Sequence, residues 1–255
     1  MRQSLTENRL IFHVLPTVKL PQRRAFGHDL VPRLMLEDGD LADQVDFMPR
    51  RGGHDVIRQI EQLALMEAVT IARRARTNGQ ASNLFIPLSR ATLSDANGAE
   101  QVLATLEANR AVCAGLVFLV PEADWTNLNT VERAVVAAMV KKGIGYSLAN
   151  TRSLRTDVAD LAARAVRSVR VDAAQFMASP ETFTDFHPSD IADYLGRFGV
   201  ELLATNITRE AQILELLEDG IVLAQGNHIA TAGPVRPDLG VERVPSAMMP
   251  RRAEM

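Results

Sequence analysis

A chain of 255 residues with 47% hydrophobic and 23% charged residues can build one large α/β domain or two small ones, with a sizeable core in either case. Its formal charge of −3 excludes a general binder of nucleic acid polymers or anionic membrane surfaces, which needs a strong basic excess. The single cysteine, Cys113, excludes an internal disulfide framework and a cysteine-based zinc site. Cys113 lies in the apolar stretch 111–120 and reads as a buried core thiol. The basic pairs Arg23-Arg24, Arg50-Arg51 and Arg73-Arg74 read as solvated faces. No signal peptide opens the sequence and no run of 18 apolar residues crosses it, which points to the cytoplasm and to no membrane contact by this segment. Tethering to an inner membrane by a segment outside these residues is compatible with that reading.

In chain order, apolar runs of strand length alternate with amphipathic runs of helix length, the pattern of a mostly parallel α/β fold. Residues 10–20 form the first strand, with Pro16 inside it, so an edge or bulged strand is expected. A second strand, 25–36, follows the short link Pro21-Gln22-Arg23-Arg24, and Asp38-Gly39-Asp40 then marks a turn. Ile57, Ile60, Ala64, Ala68 and Ile71 recur at offsets of three and four and predict a helix over 54–76. Strands are expected at 83–89, 116–121, 144–148, 168–171 and 201–204, with helices near 99–109, 130–141, 158–166 and 189–198 between them. Thr208 is the expected N-cap of a last helix that ends at Gly220, before a closing strand at 221–224. One barrel over residues 1–237 is the economical arrangement, with an irregular tail at 238–255.

Several of these segments resemble, in order and spacing, the motifs of the bacterial EAL domain. Phe12-His13-Val14-Leu15-Pro16 followed by Gly27-His28-Asp29-Leu30-Val31-Pro32-Arg33 is similar to the family's Gln-Pro strand and its Gly-x-Glu-Ala-Leu-x-Arg. Phe85-Ile86-Pro87-Leu88-Ser89 resembles the Asn-x-Ser strand, and Leu116 through Glu122 the Leu-Glu-Ile-Thr-Glu strand. Gly143 through Asn150 stands where the family has a Gly and a strand ending in Asp-Asp. Val169-Arg170-Val171-Asp172 with Phe176 matches Leu-Lys-Ile-Asp and its trailing Phe, and the segment 199–207 stands for Ala-Glu-Gly-Val-Glu. Gln212 and Gln225-Gly226 match outright. The resemblance covers residues 8–237. It implies a modified TIM-type (β/α)8 barrel of the α/β class in which one early strand runs antiparallel.

The resemblance also implies a chemistry. Family members that hydrolyse cyclic di-GMP hold two divalent cations with carboxylates, an Asn and a Gln at strand C-terminal ends, and a Lys helps to position the water. Hard cations need such oxygen ligands if a bound water is to become hydroxide and attack phosphorus. This chain has Asp29 for the Glu, Pro87 for the Asn, Leu119 for the fourth-strand Glu, and Ala149-Asn150 for the Asp pair. Arg170 stands for the Lys and Thr205 for the seventh-strand Glu, and only Gln225 is retained. No metal site, no cofactor and no catalytic residue are therefore expected; shifting the alignment to bring in Glu122 restores one position at most. Nor do the five histidines show metal-ligand spacing.

What the resemblance leaves is a non-enzymatic regulatory domain, either a receptor for cyclic di-GMP or a protein-docking module, in motility, flagellum placement or surface attachment. The alternative is a scaffold that binds no nucleotide; a residual one-metal enzyme is disfavoured by Asp29 as the sole carboxylate at a family position. The candidate ligand-binding residues are Asp29, Arg33, Asn150, Arg170, Asp172 and Gln225. Each has a second reading: Arg33 as a rim Arg paired with an acid, Asp29 paired with Arg33 or Arg170, Arg170 neutralising Asp172 or Asp29, and Gln225 satisfying backbone groups. Protein partners are expected, and the resemblance implies a homodimer formed through the barrel rim. Trp125 reads as an interface residue or as a half-buried loop anchor. Met248, Met249, Pro250, Arg251 and Arg252 read as a docking or irregular terminus.

Overall fold

A computed structural model describes residues 9–49, 52–79, 83–236 and residue 239. Arg50, Arg51 and the terminus that contains Met248 through Arg252 lie outside the described residues, as does the expected tail 238–255 apart from Leu239, which is buried.

The chain opens on a long hairpin, β1 (Leu10–Lys19) and β2 (Arg24–Met35), paired from Leu10 opposite Leu34 to Lys19 opposite Arg24. The register shifts between Thr17, opposite Gly27, and Val18, opposite Ala25, so the extra residue is Phe26 and the bulge lies on β2 and not on the strand that holds Pro16. Nor is β1 an edge, because it also pairs antiparallel with a strand from the far end of the chain. After the two-residue strand β3 (Leu41–Ala42) and the short helix α1 (Gln44–Phe47) comes α2 (His54–Thr77). Val56, Ile60, Ala64, Ala68, Ile71 and Ala75 form its buried stripe at helical spacing.

Strands and helices then alternate. They are β4 (Asn83–Pro87), α3 (Arg90–Leu93), α4 (Ala96–Ala108), β5 (Leu116–Pro121), α5 (Glu122–Thr126), α6 (Thr130–Val140) and β6 (Gly145–Ala149). They continue as α7 (Val158–Ala163), β7 (Val166–Asp172), α8 (Ala173–Ala178), α9 (Pro180–Phe183), α10 (Pro188–Gly196) and β8 (Glu201–Thr205). The chain closes with α11 (Glu210–Glu218), β9 (Leu223–Ala224) and β10 (Gly233–Pro234). Strands β2, β4, β5, β6, β7, β8 and β9 pair in parallel in that order. Strand β1 bridges β9 and β2 and closes an eight-stranded barrel, with β10 and β3 added to β1 and β2. Among the eight described barrel strands, the antiparallel one is thus β1.

Side chains alternate between the barrel interior and the helix layer. Leu84, Ile86, Phe118, Val120, Tyr146, Leu148, Val169 and Val171 face outward and join the helices in one core. The alternate residues Asp29, Phe85, Val117, Ser147, Ser168, Arg170 and Leu203 fill the interior and are buried. Trp125, on α5, is only 4% exposed and packs on Tyr146 with ring centroids 5.1 Å apart, so it is an anchor of the outer core. Cys113 is buried and free.

Two glycines end helices at left-handed φ just before a strand, Gly199 at 74° and Gly220 at 70°. In each case the next amide reaches back to a helix carbonyl, Val200 to Leu195 at 3.2 Å and Ile221 to Leu216 at 2.8 Å. Helix α11 begins one residue later than Thr208 predicts. Gln212 reaches back so that its Oε1 accepts from the amides of Thr208 (2.8 Å) and Arg209 (3.1 Å), which places the cap at Arg209. The helices α5, α8 and α9 are too short for sequence periodicity to reveal.

Candidate functional site

The C-terminal ends of the barrel strands deliver the polar side chains. Asp29 of β2 and Arg170 of β7 are 7% and 2% exposed and meet across the barrel interior. Arg170 Nη1 donates to Asp29 Oδ2 at 2.6 Å and Nη2 to Oδ1 at 3.0 Å, a bidentate pair. Arg170 Nε donates to Ser147 Oγ at 3.0 Å, and Ser168 Oγ donates to the same oxygen at 2.7 Å. The guanidinium carbon lies 4.3 Å from the centroid of the Phe85 ring, so the cation is also held against an aromatic face. Both oxygens of Asp29 are committed to the guanidinium.

A lysine in place of Arg170 has no fork with which to span both carboxylate oxygens. The bidentate engagement of Asp29 therefore depends on an arginine at position 170. Ser147, Ser168 and Phe85 complete this network and were not among the expected site residues. A period-2 reading was the signal for them: Ser168 and Arg170 share a face of β7, and Ser147 is the register partner of Ser168 on β6.

The other expected site residues are dispersed around the rim. Arg33, four residues beyond Asp29 on β2, forms an ion pair with Asp43 at the N-cap of α1. Asp172 caps α8 through the amide of Gln175 (3.0 Å) and accepts from Asn206 Nδ2 at 2.7 Å. Asn150, directly after β6, is exposed with a left-handed φ of 55°. Gln225 is buried, and its Nε2 donates to Thr17 Oγ1 at 3.1 Å. Its amide donates to the Ala204 carbonyl and its carbonyl accepts from the Ile207 amide. Only Asp29 and Arg170 of the six touch one another. At the other positions that the resemblance assigns to metal ligands, Pro87 and Leu119 are register partners and form an apolar section of the rim. Thr205 Oγ1 donates to the Val171 carbonyl at 3.0 Å.

Among the described residues, no group of three or more His, Cys, Asp or Glu is placed to hold a metal ion, and no helix is long and apolar enough to cross a membrane. His28, next to Asp29 but on the outward face of β2, has its pKa pushed down to about 4 by burial, against the opposing pull of the Asp29 charge.

Known proteins share this architecture. The barrel superimposes on the PaMucR phosphodiesterase in its c-di-GMP complex with a TM-score of 0.75 at 22% identity, covering 91% of this chain and 95% of that one. It superimposes on the EAL domain of Xanthomonas citri FimX in complex with c-di-GMP with a TM-score of 0.74 at 16% identity, covering 92% of each chain. An EAL domain protein from Listeria monocytogenes EGD-e gives a TM-score of 0.72 at 13% identity, covering 91% of this chain and 92% of that one. A search of curated protein sequences gives no match. The family profile described as "EAL domain" matches residues 1–232, which is most of the chain, and this protein therefore belongs to the EAL domain family.

Proposed function

We propose that this chain is a non-catalytic EAL domain that works in bacterial signalling as a receptor for cyclic di-GMP. The observation that carries the loss of catalysis is the Asp29–Arg170 pair. The one carboxylate at a metal-ligand position of the family has both oxygens bound to a permanent cation. Pro87, Leu119 and Ala149 bring no ligand atom to the rim, and the Thr205 hydroxyl donates to a backbone carbonyl. This set does not fit two divalent cations, which need several anionic oxygens around them. Without metal activation of water the hydrolysis loses several kcal/mol of transition-state stabilisation, and each 1.4 kcal/mol is about tenfold in rate.

Retention of the ligand is supported by the likeness to two barrels solved with c-di-GMP. Arg33, on a rim strand and half-buried beside an exposed Asp43, supports it as well. Exchanging Asp43 for a phosphate would keep the fork satisfied. Asn150, exposed at the end of β6, and Asp172 complete the polar rim. In this reading Arg170 and Gln225 shape the interior, and no metal or cofactor is used. The domain would act in the cytoplasm through protein partners or a second copy of itself, in control of motility, flagellum placement or attachment.

A specific observation favours a second reading, a docking scaffold that binds no nucleotide. Arg33, Asp172, Arg170 and Gln225 each already have an internal partner. Calorimetric titration of the folded chain with cyclic di-GMP, once with chelator and once with magnesium, decides between them. Saturable micromolar binding without metal, with no linear dinucleotide product on incubation with magnesium or manganese, supports the receptor. Silence in both buffers, beside an active EAL domain as positive control, overturns it in favour of the scaffold, and hydrolysis overturns both.

A further inference from the structure

Outside the barrel interior, a buried carboxyl sits where β4 turns into α3. Glu61 projects from the buried face of α2, beside Ile60, Ala64 and Leu65, and is 6% exposed. Thr92 of α3, itself buried, donates Oγ1 to Glu61 Oε2 at 2.5 Å. Ser89 lies beside the same carboxyl and favours its charged form. Ser89 also caps α3, its Oγ accepting from the Ala91 amide at 3.3 Å.

The charges around Glu61 leave it without a cation of its own among these contacts. Asp124 of α5 faces it and adds repulsion, while accepting from the Arg90 amide at 2.9 Å. The Arg90 guanidinium is spent on Glu132 of α6, at 3.2 and 3.0 Å. Arg58, on α2 itself, lies 3.8 Å from Asp95 at the N-cap of α4. Where the 3-10 turn Arg110–Gly115 packs on α2, Arg110 pairs with Glu107 and Arg76 donates to the Ala111 carbonyl. Strands β4 and β5 carry no charged residue, and His28 of β2 is neutral at any pH well above 4. Burial, the largest influence, pushes the Glu61 carboxyl up to about 7 against the hydrogen bond from Thr92 and the opposing pull of Ser89.

We propose that Glu61, Thr92 and Ser89 form a proton-operated latch that sets the position of the β4–α3 corner and of α5 beside it. The chemistry is a single proton exchange with solvent. In the ionised state the carboxylate accepts from the Thr92 hydroxyl, with Ser89 beside it, and repels Asp124. When a proton joins one carboxyl oxygen, that oxygen becomes a donor. A hydroxyl can give or receive, so one partner reverses its role and the network stays satisfied. The repulsion on Asp124 then disappears, and Asp124 is drawn more closely to the Arg90 amide that joins α5 to α3. The corner therefore tightens on acidification and loosens as the pH rises past neutral. Strand β4 ends at Pro87, two residues before Ser89, so the rim is mechanically adjacent to the latch. The inference holds whether or not the rim takes a nucleotide.

The chain carries its own reporter, because Trp125 is its single tryptophan and follows Asp124 directly. The experiment records Trp125 emission and the carboxyl ¹³C resonance of Glu61 in the whole chain from about pH 5.5 to 8.5. Both signals are expected to show one transition near neutral pH. Glu61→Gln removes the transition from the emission, and Thr92→Val, which deletes a donor to the charged form, raises the midpoint by about one pH unit. A Glu61 resonance that is flat over this range overturns the latch. So does an emission transition that survives unchanged in Glu61→Gln, or a carboxyl that titrates while the emission stays flat. Should Glu61→Gln not fold, the wild-type resonance and the Thr92→Val midpoint still decide, and an unmoved midpoint overturns the proposal.

Discussion

Arg170 holds Asp29 across the barrel interior through two parallel hydrogen bonds of 2.6 and 3.0 Å, joining β7 to β2 over 141 residues of chain. Removing one member of such a pair leaves the other charge buried without compensation, at a cost of about 3–5 kcal/mol. Arg170→Met is therefore expected to destabilise the barrel by about that much in chemical denaturation. Asp29→Leu combined with Arg170→Met is expected to recover much of the loss, because no orphaned charge remains. An additive double variant would mean that the two side chains act separately.

Arg33 contrasts with this pair. Its partner Asp43 is exposed, and ion pairs with an exposed member contribute about 0–1 kcal/mol. Arg33→Ala should therefore change folding stability by less than about 1 kcal/mol. In the receptor reading it should weaken cyclic di-GMP binding by about 1.5–3 kcal/mol, roughly 10- to 100-fold, by calorimetry.

Two buried groups, His28 and Glu61, contribute to the pH dependence of stability in opposed directions. The pKa of His28 falls from 6.5 to about 4 on folding, because burial disfavours its charged form. Its contribution is complete above 6.5 and is lost as the pH falls through 4, by at most about 3 kcal/mol. Glu61 is raised from 4.5 to about 7, so its contribution is complete below 4.5 and is lost as the pH rises through 7. His28→Gln should flatten the acid limb between pH 6.5 and 4 in urea titrations and leave the limb above 6.5 unchanged. An unchanged acid limb would show that His28 is protonated in the fold.

Gly226 tests the close approach behind Gln225. A Cβ at this position would fall on the backbone of Ile207, whose amide and carbonyl bond to Gln225 and His228. Gly226→Ala should cost about 1–3 kcal/mol or more, since backbone cannot yield as a side chain does. Gly196→Ala has open space and no left-handed φ, and should be neutral or stabilising by up to about 1 kcal/mol. Thermal denaturation of the two variants separates packing from chain entropy.

Much of the barrel is legible in the sequence, because its strands are buried on both faces and read as short apolar runs. Leu116 through Pro121 and Glu201 through Ala204 are read almost to the residue. Elements with a few turns or fewer escape: α5, α8 and α9 are too short for a helical period to emerge. Thr208 misleads because an N-cap preference is local, whereas the reach of Gln212 back to two amides is a matter of the folded turn.

The sequence alone determines that the chain alternates strand and helix, that its motifs resemble those of the EAL domain in order and spacing, and that Pro87, Leu119 and Ala149 carry no carboxylate. These are properties of residue type, order and spacing, and they depend on no distance between side chains. Only the tertiary structure shows which partner each polar residue takes within the chain. It gives Asp29 to Arg170, Arg33 to Asp43, Asp172 to Asn206 and Gln225 to Thr17. It also leaves Glu61 with the Thr92 hydroxyl in place of a cation. The reason is physical. A charge takes the partner that the barrel brings within about 3 Å, and closing the sheet on itself sets those distances between residues far apart in the chain.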